Sequence, residues 1–138
     1  MKISELTNAP QWLLDADTRD ADVEIKDGIV IWHGGDWLGG DWWGGVWLGG
    51  DWHGGVWRGG DWWGEKLTHN LWTVFGLKWP VTISPTRMQI GCELHTFAQW
   101  ESFDDATINK METGALKFWR THKPALMALC ESAKRDPL

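Results

Sequence analysis

The 138-residue chain has no tyrosine, only two cysteines and five prolines, and few basic groups. Each shortage excludes something. Cys92 and Cys130 cannot supply the disulfide framework of a small secreted domain, so a reduced cytoplasmic protein is expected. Thirteen Lys and Arg stand against nineteen Asp and Glu, a net charge of −6, which argues against direct contact with nucleic-acid phosphates. The deficit is uneven: −4 over residues 1–31, −3 over 32–64 and +1 over 65–138. No apolar run is long enough to span a bilayer. The acidic N-terminal stretch is the reverse of a signal peptide, so no cleavable leader is expected.

Two residue types are abundant instead. Nine of the 14 Trp and 13 of the 17 Gly lie between Trp32 and Gly64. That glycine density excludes an all-helical protein. So much regularly spaced indole surface also has strong reason to be buried, which argues against a disordered linker.

The spacing is a repeat of Trp-x-Gly-Gly-(Asp/Val), seven units without a gap, with an echo at Leu67 and Trp72. A helix would spread these Trp around all its faces, and a flat strand would alternate them. A chain that turns a corner every five residues gives them one environment. Four units per turn make a 20-residue coil, which predicts a short right-handed four-sided β-helix over residues 29–76. Trp32 should then stack on Trp52, Trp37 on Trp57 and Trp42 on Trp62, with Gly50 facing the interior. Outward positions one such coil apart match twice, His33 with His53 and Trp43 with Trp63. A 15-residue coil aligns His33 with Leu48 and Trp63 and finds no such match.

In the register Gly-(Asp/Val)-Trp-x-Gly, the repeat resembles the pentapeptide-repeat proteins. Asp36, Asp41, Asp51 and Asp61 fall on that family's Asp/Asn position, Trp37, Trp42, Trp52 and Trp62 on its central apolar position, and Gly35, Gly40, Gly50 and Gly60 on its Ala. The resemblance implies the four-sided solenoid. Around it, residues 1–31 read as an acidic cap with lead-in strands turning at Asp27-Gly28, and 32–76 as the solenoid. Residues 77–138 read as a β-hairpin plus α-helical cap. Within that tail Thr96 and Gln99 fit a capping box, Asp105 can cap a helix, and Pro124 should start a new helix or kink an arm.

The tail carries Arg87, Ile90, Gly91, Cys92, His95, Thr96 and Trp100 in the pattern Arg-x-x-Ile-Gly-Cys-x-x-His-Thr-x-x-x-Trp. This resembles the ending of phage and prophage proteins in which a β-solenoid precedes short helices. It implies a phage-encoded protein acting in the bacterial cytoplasm.

The chemistry is sparse. Cys92-x-x-His95 offers metal-ligand types, and His122 and Cys130 could complete a set. Those two are eight residues apart, however, so no metal or cofactor is expected. No nucleophile–base–orienter arrangement stands out, so the chain is read as non-enzymatic. His33 and His53 could serve a ligand from one face. Trp43 and Trp63 are surplus indoles suited to stacking, and Arg87 and Arg120 to phosphate oxygens. The resulting expectation is a homo-oligomeric binding protein that sequesters a small nucleotide-like immune signal. An acidic nucleic-acid mimic, which pentapeptide-repeat inhibitors of DNA gyrase exemplify, and a structural adaptor are the alternatives.

Overall fold

The computed structural model describes residues 1–68 and 70–135, with Arg135 described in backbone only. It divides into two compact units, Met1–Thr73 and Val74–Leu138. No helix among the described residues is long and apolar enough to cross a membrane.

The first unit opens with a 3-10 turn (Ile3–Glu5) and a short helix α1 (Gln11–Asp15). Strands β1 (Asp17–Lys26) and β2 (Ile29–Gly39) follow as an antiparallel hairpin. Asp27 and Gly28 take φ of +53° and +78°, the left-handed pair that a two-residue hairpin turn demands. Short strands then come at each repeat: β3 (Asp41–Trp42), β4 (Val46–Trp47), β5 (Asp51–Trp52), β6 (Val56–Trp57) and β7 (Gly60–Trp62). β8 (Glu65–Leu67) turns back antiparallel on β7.

The four-sided right-handed β-helix is not what forms. Among the described residues the strands make a mixed six-stranded sheet and a two-stranded parallel ladder in the first unit, and a separate antiparallel sheet, with no closed sheet. Parallel pairs join residues 15 apart, not 20. Trp32 pairs with Trp47 and Trp47 with Trp62, Trp37 with Trp52, and Trp42 with Trp57. The indoles report the same offset: Trp32 and Trp47 stack at 5.1 Å, Trp37 and Trp52 at 5.5 Å, and Trp42 and Trp57 at 5.2 Å, each pair within 9° of parallel.

Ring size explains the count. Trp32, Trp37 and Trp42 meet edge to face, with centroids 5.7, 5.6 and 6.5 Å apart. Three indoles thus close a triangle of edge-to-face contacts, each ring meeting the other two. All seven repeat Trp from Trp32 to Trp62 are at most 1% exposed. The indole N–H groups of Trp32, Trp37, Trp42 and Trp47 are buried without a hydrogen-bond acceptor.

The same offset corrects the role given to Gly50. Its φ is +91°, and a Cβ there would overlap the Gly35 carbonyl oxygen on the adjacent rung, not the interior. At the start of the array, Trp12 on α1 lies 5.2 Å from Trp42 and 6.3 Å from Trp37, covering the first layer. At the far end Leu67 and Leu71 are buried, and the Trp57 indole N–H donates to the Leu67 carbonyl at 3.3 Å. The Leu67 echo therefore closes the array and does not extend it.

The antiparallel sheet runs in the order β12 (Glu93–Thr96), β11 (Arg87–Ile90), β10 (Val81–Ile83), β9 (Trp72–Val74). In the second unit, helices α2 (Phe97–Ser102), α3 (Asp105–Asn109) and α4 (Ala115–Arg135) follow the strands. The Thr96/Gln99 capping box is present. Asp104, not Asp105, caps α3, its carboxylate accepting from the Thr107 N–H at 2.8 Å. Pro124 lies inside α4 and begins no separate helix. The core joins Ile83, Met88, Trp100, Ile108, Trp119 and Leu126, and the Trp100 indole donates to the Met88 carbonyl at 2.7 Å.

Candidate functional site

The 15-residue offset separates residues that the sequence pairs and joins others. Trp43 and Trp63 fall on different ladders. The Trp63 N–H donates to the Trp47 carbonyl, and Trp63 with Gly64 forms the two-residue turn into β8, at φ +51° and +82°. Trp63 is thus a half-buried turn residue, whereas Trp43 is 56% exposed. His33 and His53 are also apart: His33 Nε2 pairs with Glu24 at 2.9 Å, and His53 Nε2 with Asp36 at 3.2 Å.

Trp43 has a neighbour that the sequence reading missed. Arg58, 15 residues on, places its guanidinium 4.4 Å from the indole centroid and pairs with Asp41 at 3.1 Å. The repeat contained this signal, and only the correct period reveals it. Trp43 also lines a cleft of about 550 Å³ with Trp12, Pro10, Ile29, Asn8 and Gly45. The cleft exists because α1 folds over the first Trp layer beside the Asp27-Gly28 turn.

Of the repeat Asp, Asp36 and Asp41 make side-chain ion pairs. Asp36 Oδ2 accepts from Arg19 at 2.9 Å while Oδ1 faces His53. Burial alone would raise the Asp36 pKa, but the Arg19 and His53 hydrogen bonds outweigh it and hold it below the ordinary value. Asp51 pairs with Asp36 in register. Burial, then the Asp36 charge, pushes its pKa up. Donor atoms of Asp36, Asp51 and His53 lie within 4.8 Å of one another. Arg19 already brings positive charge to this cluster, so it reads as an ion-pair network.

The signs differ, and so do the expected effects. Ionised Asp51 is disfavoured by the fold, so Asp51→Asn should raise the melting temperature at neutral pH. The gain should vanish near pH 3, where Asp51 is protonated whether folded or not. Ionised Asp36 is favoured, so Asp36→Asn should lower the melting temperature at neutral pH, and that loss should shrink as acid protonates Asp36 in the native state. Thermal melts of both variants from pH 3 to 8 check this.

The remaining candidates belong to the second unit. Arg87 begins β11, and Arg120 on α4 pairs with Asp105 at 2.5 Å. Cys92, His95, His122 and Cys130 do not form a metal-ligand group among the described residues. Cys130 is buried against Met88 Sδ at 3.6 Å, and burial pushes its thiol up to about 12, far from the thiolate a metal needs. His95 Nε2 meets Glu93 at 2.9 Å, and its ring packs edge-on against Trp100 and Phe103.

Cys92 is exposed and opens on a second cavity, of about 60 Å³, walled by Trp79, Trp100, Phe118 and Trp119 with Glu93 and Glu112. Ile90, Gly91, Cys92 and Trp100 of the tail motif all line it. The chain matches no family model, no curated protein and no solved structure.

Proposed function

We propose that the protein is a non-catalytic binding protein whose first unit takes a small nucleotide-like ligand in the cleft beside Trp43. The observation that carries this reading is the half-exposed Trp43 indole at a cleft of about 550 Å³. That volume suits a ligand of nucleotide size. An exposed Trp is uncommon unless something covers it, and a flat indole stacks on any nucleobase. Arg58, held over Trp43, is a cation that could take a phosphate, a part the sequence assigns to Arg87 or Arg120. With the phage-like tail motif, the biological reading is sequestration of a nucleotide immune signal by a homo-oligomer in the bacterial cytoplasm.

Calorimetry against a panel of cyclic nucleotides and ADP-ribose derivatives tests this. At least one should bind, and Trp43→Ala should weaken it roughly 5- to 150-fold, the range for losing one stacked base. Trp63→Ala should leave the cleft intact. Absence of binding across the panel overturns the reading and favours the adaptor role.

A further inference from the structure

We propose that the aromatic cavity of the second unit is a separate binding site for a small quaternary-ammonium cation of the choline class. The walls are unusual for so small a space. Trp79 and Phe118 meet edge to face at 5.1 Å, and Trp100 and Trp119 pack at 5.1 Å. All four rings border the opening, and Glu93 and Glu112 are its acidic residues. Electron-rich ring faces with carboxylates nearby are what a weakly hydrated organic cation prefers. The rings take its methyl groups, and the carboxylates balance a charge that cannot be hydrogen-bonded away.

Size selects within that class. One water needs roughly 10–15 Å³ of such space, so about 60 Å³ holds about four to six heavy atoms. A trimethylammonium head fits, and a nucleotide does not. Two ammonium groups already lie against wall rings, Lys78 at 4.7 Å from the Trp79 centroid and Lys123 at 5.9 Å from that of Trp119, so the rings accept cations and the two carboxylates must offset that charge for a further one. Among the described residues no positively charged side chain lines the cavity.

The site goes beyond the nucleotide reading and uses none of its residues. The test is calorimetry on the full chain with choline and with 3,3-dimethylbutanol, the neutral carbon isostere. Choline should bind saturably, one per chain, and about tenfold tighter than the alcohol. The double variant Glu93→Gln with Glu112→Gln keeps the shape of the pocket and should erase most of that preference. Both residues lie at least partly in solvent, so the fold should survive, which near-UV circular dichroism of the Trp bands will confirm. Trp43→Ala should leave choline binding unchanged, whatever it does to nucleotides. Equal affinity for choline and the alcohol, or no choline binding at millimolar concentration to folded protein, overturns the proposal.

Discussion

Gly50→Ala should unfold the protein under conditions where Gly34→Ala leaves it folded. Both glycines belong to Gly-Gly pairs of the same repeat, Gly34 first in its pair and Gly50 second. Gly50 has φ +91° and lies against the Gly35 backbone of the neighbouring rung, so a methyl group meets a carbonyl oxygen that cannot move without breaking the ladder. Strained backbone costs roughly 1–3 kcal/mol and overpacking a similar amount. The sum is a large part of the ~5–15 kcal/mol that holds a domain together. A Cβ on Gly34 meets nothing within 4 Å, and its φ is not left-handed. Its replacement should cost no more than about 0.5 kcal/mol. Urea denaturation followed by Trp fluorescence separates the two. Equal stability of both variants would falsify the 15-residue register.

Trp47→Ala should be as damaging, by a different route. Trp47 sits in the middle of the longest ladder, stacked on Trp32 at 5.1 Å and edge-on to Trp42 and Trp52 at 5.8 and 6.0 Å. Removing a fully buried indole costs roughly 3–5 kcal/mol, and the cavity cannot collapse because both neighbouring layers are themselves rigid rings. Trp43→Ala on the exposed face should change stability by no more than about 0.5 kcal/mol. The pair distinguishes structural from surplus Trp, and chemical denaturation of each variant measures the gap. Comparable losses for both would show that the exposed indole is part of the core.

Much of the local structure was legible. Asp27-Gly28 announced its turn because few other pairs accept two left-handed residues in succession. Thr96 and Gln99 announced a helix start because their side chains and backbone satisfy each other within four residues. The candidate site was legible only in part. The surplus of Trp43 was visible, but its partner Arg58 and the role of Trp63 as a turn depend on the period. The second cavity draws on Trp79, Glu93, Glu112 and Trp119, which share no motif and meet only when α4 packs on the sheet.

The sequence by itself determined that the repeat Trp share one buried environment, that glycine must recur beside each corner, and that the chain is acidic and rich in β-structure. Those are local facts, set by a five-residue period and by the backbone freedom of glycine. How many corners separate one rung from the next was decided only in three dimensions. A five-residue unit is compatible with 15 or 20 residues between paired rungs, and outward residues carry no packing constraint that would choose. The choice belongs to the interior, where three indoles meet edge to face.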